Sequence, residues 1–134
     1  MGRSKLREKV FRLLFRAQFH SDEDFKEQET LFFRDEEQEQ MEEADKEQVK
    51  DTCDRILEKC PEIDSRLAEK VKGWDIARIG KAEFTILRLA VYEILFDESI
   101  PVSVSINEAV ELAKKYGQEE SSSFVNGVLA KFAD

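Results

Sequence analysis

Ile106-Asn107-Glu108-Ala109-Val110-Glu111-Leu112-Ala113-Lys114-Lys115-Tyr116-Gly117, followed closely by Phe124-Val125-Asn126-Gly127-Val128-Leu129, is the stretch on which the reading of this chain turns. Ile106, Ala109, Val110 and Ala113 recur at helical spacing and form the inward face of a helix. Ser103 or Ser105 can cap its start, and Gly117 ends it. Serines 121–123 open a last helix with Phe124, Val125, Val128, Leu129 and Phe132. Upstream, residues 81–97 are apolar nearly all round, from Ala82 and Phe84 through Ile86, Leu87, Leu89, Ala90, Val91 and Ile94 to Phe96. Such a helix belongs at the centre of a domain. Ile100-Pro101 breaks it.

Toward the N-terminus the same period continues. Leu6, Val10, Leu13, Leu14 and Ala17 predict a helix from about 4 to 19. Lys5, Lys9, Arg12 and Arg16 follow that period on another face, as a basic ridge. Ser21 with Asp24 resembles a capping box, and the helix it starts carries Phe25, Leu31 and Phe32. Residues 35–43 hold one apolar side chain, Met41, and their like charges repel. They read as a solvated linker or frayed helix end; the rival reading is an acidic flap over the basic ridge. Val49, Cys53, Ile56, Leu57 and Cys60 form a stripe that Pro61 interrupts. Ile63, Leu67, Val71 and Trp74 form the next, with Gly73 near its end, and Asp75 can cap a short turn at 76–79. No period-two alternation runs long enough for a sheet. The fold class is all-α, with about seven helices in one bundle or two sub-bundles.

A chain of 134 residues reads as one domain, able to bury roughly two-thirds of its unfolded surface. No apolar run approaches the ~20 residues of a membrane span. Arg, Lys and Glu interrupt any signal-peptide core, so the expected location is cytoplasmic. Cys53 and Cys60 lie two helical turns apart, too far to bridge. With His20 the only histidine, no metal site and no cofactor are expected. There is no Gly-rich phosphate loop, no Gly-x-Ser-x-Gly and no His-Glu-x-x-His. His20 as a catalytic base competes with the plainer reading of a surface histidine, and nothing selects a pair of carboxylates. The expectation is a protein that is not an enzyme.

The net charge of −9 argues against indiscriminate nucleic-acid binding, but the average hides an asymmetry. The first nineteen residues carry Arg3, Lys5, Arg7, Lys9, Arg12 and Arg16 against Glu8 alone. Residues 21–47 carry thirteen Asp and Glu against Lys26, Arg34 and Lys46. A basic ridge can bind phosphates without reading sequence, and Phe15 beside Arg16 could stack on a base. The plain alternatives are a solvated basic face and a core Phe15. Asn107-Glu108 and Asn126-Gly127 read first as structural, capping a helix or tying two helices together. Gly127 inside a helix suggests close approach of a neighbouring helix.

Together these stretches resemble the NusB transcription antitermination family. The match is strong over residues 84–132, where Ile86-Leu87-Arg88-Leu89-Ala90-Val91-Tyr92-Glu93, Ile100-Pro101, residues 106–115 and Phe124-Val125-Asn126-Gly127-Val128-Leu129 fall in order. It is weak between 20 and 60. Leu6-Arg7-Glu8 and Leu14-Phe15 match the family's first helix. The resemblance implies two three-helix sub-bundles, about 1–74 and 75–134. It implies a non-catalytic factor that binds the boxA element of nascent ribosomal RNA transcripts with NusE, a small-subunit ribosomal protein. That complex joins the RNA polymerase antitermination complex and promotes processive transcription.

Carried over to this chain, the resemblance places Arg3, Lys5 and Arg7 in an arginine-rich stretch and Phe15 at the RNA surface. Glu83 and Arg88 match polar positions near RNA and partner, Glu120 an acidic one, and Phe124 the head of a motif near RNA. With the ridge residues Arg12 and Arg16 these are the candidate RNA-binding residues. Glu83 or Glu120 would accept hydrogen bonds from base amino groups. The chain departs from the family pattern in three ways. Its arginine stretch is sparser, Phe15 lacks a tyrosine hydroxyl, and the acidic segment 35–47 is unexplained. The expectation is weak RNA binding alone, rescued by NusE. The alternative is an RNA-docking or protein-interaction helical module related to the N-terminal domain of ribosomal RNA cytosine methyltransferases. The chain contains no catalytic domain of that kind, which favours the standalone reading. A homodimer that hides the RNA surface is a further alternative.

Overall fold

The computed structural model describes residues 1–18, 22–37, 41–71 and 79–133. Its elements are α1 (Arg3–Ala17), α2 (Asp22–Glu37), α3 (Glu43–Lys70), α4 (Lys81–Phe96), α5 (Val102–Tyr116) and α6 (Ser121–Ala130). The described residues contain helices and turns and no strand, as the 3.6-residue period requires. His20, the Ser21 cap, Gly73, Trp74 and most of the turn at 76–79 lie outside them.

The chain forms two compact units, Met1–Leu57 and Glu58–Asp134. The sequence puts the division after residue 74, at the expected end of a helix. The two differ because α3 is one helix of 28 residues with Pro61 inside it. Pro61 was expected to interrupt the stripe, and it does not. A proline removes one helical hydrogen bond, here to Leu57, but the buried stripe Val49, Cys53, Ile56, Ile63, Leu67 and Val71 continues through it. Burying each such side chain contributes about 1.5–3 kcal/mol, enough to hold the helix across the lost bond.

In the first unit, α1 packs on α2. Val10, Phe11, Leu13 and Leu14 of α1 are buried, as are Phe32 of α2 and Val49, Cys53 and Ile56 of α3. Met41, the one apolar side chain of residues 35–43, is also buried, at 6 % exposure. In the second unit, α4, α5 and α6 pack against one another. Ile86, Leu87, Leu89, Ala90 and Val91 of α4 are buried, which makes α4 the central element its sequence predicts. Buried Thr85 is satisfied within α4 by donating its hydroxyl to the Lys81 carbonyl, 2.7 Å away.

α5 starts at Val102 with Pro101 as its cap, two residues before Ser103 and four before Ser105. A proline at a helix start sacrifices no bond, because the first N–H groups have no helical partner anyway. Ser105 is consequently inside the helix and buried, donating to Glu93 Oε1 at 2.8 Å. Asn107 is not a cap but an exposed mid-helix residue.

Candidate nucleic-acid interface

The exposed face of α1 is narrower in charge than its sequence implies. Arg3, Lys5 and Arg12 are exposed. Lys9 is 3 % and Arg7 8 % exposed, so neither stands on a surface ridge. Arg7 lies one turn before Phe11 and Lys9 one turn before Leu13, at the two margins of the buried arc, where long aliphatic stems can lie along apolar surface. Arg16 is half-buried. Its Nη2 lies 3.4 Å from Asp35 Oδ2, and its guanidinium carbon lies 5.5 Å from the Phe32 ring centroid. Lys5 and Arg12 are two turns apart, ~10 Å along one face. Half-buried Phe15 follows Arg12 by one turn on the same side, its ring centroid 6.0 Å from that of Phe11. The face therefore pairs two exposed cations with an aromatic edge.

The acidic block meets the basic N-terminus through Asp35 on Arg16 and through Asp45 Oδ2, 3.6 Å from the Met1 ammonium. Between α2 and α3 an open groove of about 690 Å³ is lined by Glu29, Glu43 and Glu47 beside Arg34, Lys46 and Lys50. Its mixed signs give no net attraction for phosphate.

In the second unit Glu120 is exposed as the N-cap of α6, and Phe124 is half-buried on the next turn. Ser123, Asn126 and Gly127 are exposed. Gly127 does not mark a helix contact: a Cβ built there meets nothing within 4 Å. The glycine leaves the surface one turn beyond Phe124 without a side chain, open to something outside the helix.

Glu83 faces inward. It lies in the first turn of α4, 8 % exposed, and its Oε1 accepts a hydrogen bond from Ser121 Oγ at 2.5 Å. Arg88 is likewise committed. Its Nε and Nη2 reach Asp64 Oδ1 and Oδ2, and its guanidinium carbon lies 4.4 Å from the Phe84 ring centroid. Burial works against the charge on Arg88, but the Asp64 hydrogen bonds and the charges of Cys60 and Asp64 outweigh it and raise its pKa. Burial pushes the Cys60 thiol up, more than nearby Arg88 pulls it down. Among the described residues no group of three or more His, Cys, Asp and Glu is placed to hold a metal ion. No helix among them is long and apolar enough to cross a membrane.

Sequence reasoning missed Asp64 and Ser121 as the partners of Arg88 and Glu83. The only signal was the short α5–α6 connection at Gly117, which forces close packing there. Gly117 terminates α5 with φ −97°, outside the left-handed region. It is needed for space: an added Cβ would lie 2.5 Å from Ser121 Cβ and 2.8 Å from the Ala113 carbonyl oxygen.

The NusB family model matches residues 4–134. The transcription antitermination protein NusB of Agathobacter rectalis is 49 % identical over 133 residues, spanning 99 % of this chain and all of that protein. Among solved structures, T. maritima NusB superposes with a TM-score of 0.83 at 35 % identity, over 99 % of this chain and 91 % of that one. A chain from a crystal structure of the antitermination factors NusB and NusE with double-stranded RNA gives a TM-score of 0.80 at 29 % identity. That match covers 98 % of this chain and 95 % of the other.

Proposed function

As this chain belongs to the NusB family, we propose that it is a transcription antitermination factor that binds boxA RNA of nascent ribosomal transcripts together with NusE. Full-length similarity to antitermination proteins, and to a chain crystallised with NusE and RNA, supports the reading. The observation that carries it to particular residues is that three cations of α1, Arg3, Lys5 and Arg12, stay exposed in a chain of net charge −9. These cations neutralise phosphates, and Phe15 offers a base a flat apolar edge. On α6, Phe124 supplies a second stacking surface, Gly127 leaves room beside it, and Glu120 accepts from base amino groups. Arg16 and Arg88 hold Asp35 and Asp64 and act through the frame.

The protein works in the cytoplasm beside the elongating polymerase and catalyses nothing itself. Burial pushes the Cys60 thiol up, which makes that one group a poor nucleophile. Three phosphate contacts give a salt slope of about −2 on single-stranded RNA, shallower than the −3 to −4 of a five-cation ridge. Charge reversal at Lys5 and Arg12 tests this. The expected result is uniform weakening across RNA sequences and a flatter salt response; unchanged affinity would overturn the role of α1.

A further inference from the structure

We propose that Glu83 is a positioning residue, which sets the α6 end of the RNA surface through Ser121 instead of touching RNA. The inference rests on the RNA-binding reading of Phe124. Ser121 is 5 % and Glu83 8 % exposed, so their bond is shielded from water. Ser121 Oγ accepts from the Gln118 N–H at 2.7 Å and donates to Glu83 Oε1 at 2.5 Å. The backbone closes the same turn, with the Ser121 N–H on the Gln118 carbonyl at 3.0 Å. One hydroxyl thus ties the first residue of α6 to the first turn of α4 and to the start of the α5–α6 connection. Phe124 follows Ser121 by one helical turn, so its place depends on that anchor.

Two glycines make room for the pair. A Cβ at Gly80 would collide with the Glu83 carboxylate, and one at Gly117 would collide with Ser121. The carboxylate, 38 residues from Ser121 in sequence, is held on a defined partner inside the unit. Orientation by a buried hydrogen bond holds a contact group within the narrow range that binding needs.

The test measures affinity of the NusE complex for a boxA RNA and a scrambled RNA, with hydrogen exchange read at the first-turn amides of α6. The variants are Glu83→Gln, Glu83→Ala, Ser121→Ala, the double alanine and Phe124→Ala. An amide oxygen at 83 still accepts from Ser121, so Glu83→Gln should stay within about twofold of wild type. Glu83→Ala and Ser121→Ala should each weaken boxA binding by about three- to tenfold. Both should speed exchange in α6, and the double variant should be no worse than either, because one bond is lost once. If Glu83→Gln binds as poorly as Glu83→Ala while Ser121→Ala matches wild type, the carboxylate contacts RNA itself and the proposal falls. If the alanine variants lose only thermal stability, the role is structural and the proposal also falls. If Phe124→Ala binds like wild type, the RNA reading of α6 has failed and takes the positioning role with it.

Discussion

Arg88 grips Asp64 with two nitrogens, Nε to Oδ1 at 2.9 Å and Nη2 to Oδ2 at 2.7 Å, and so ties α4 to the C-terminal half of α3. The pair is part-buried, with the side chains 21 % and 36 % exposed. Its two parallel bonds fix orientation in a way a lysine cannot copy. Asp64→Ala should destabilise the protein by about 1–2 kcal/mol after allowing for solvent screening. Arg88→Lys should cost nearly as much in thermal denaturation. RNA affinity of the folded Asp64→Ala protein should stay within about twofold; a large loss would return Arg88 to the RNA surface.

Pro61 marks a site where α3 is weaker than it need be. It is exposed within the helix and supplies no N–H to Leu57. Pro61→Ala restores that donor and should raise stability by about 1–3 kcal/mol in chemical denaturation. A loss of stability would show that the helix depends on the distortion a proline brings.

Gly127 separates folding from binding. A helical glycine costs about 1 kcal/mol relative to alanine, and here a methyl group meets nothing. Gly127→Ala should therefore raise Tm by about 3–5 °C. It should also weaken RNA binding, because the methyl group fills the gap beside Phe124. A variant that is more stable and binds equally well would remove the α6 face from the interface.

Asp54 gives the protein a pH response of defined sign. Burial raises its pKa above the usual aspartate value, Lys50 pulls it back, and Asp51 adds to the rise. A carboxyl with a raised folded-state pKa stabilises the fold in its protonated form. That contribution is full below the unfolded pKa and is lost as pH rises through the folded one. At neutral pH Asp54 is thus a small liability. Asp54→Asn should raise Tm by about a degree or two at pH 7 and by less at pH 4, followed by calorimetry at both. A gain that grows toward pH 4 would contradict the sign.

The helices were legible because their apolar residues repeat at helical spacing, and Ile86 to Val91 could only be central. α3 as one helix was also legible in part: Ile56 and Ile63 lie seven apart across Pro61 on a single stripe. A local rule about proline outweighed that longer pattern. The exposed cations Lys5 and Arg12 followed from the period of α1, and Arg3 from the arginine-rich stretch that the family resemblance implies. The burial of Lys9 did not, because long aliphatic stems look polar in sequence. Glu83–Ser121 and Arg88–Asp64 join residues 38 and 24 apart, and one sequence offers no record of such pairings. Gly127 was misread because a helical glycine signals missing bulk without saying which side needs it.

The central claim is best tested by titrating a fluorescent boxA RNA and a scrambled control with the protein, with and without NusE, at two salt concentrations. The account expects NusE to tighten boxA binding more than scrambled binding, and higher salt to weaken both along a slope of about −2. Equal affinity for the two RNAs with NusE present, or a flat salt response, would contradict it.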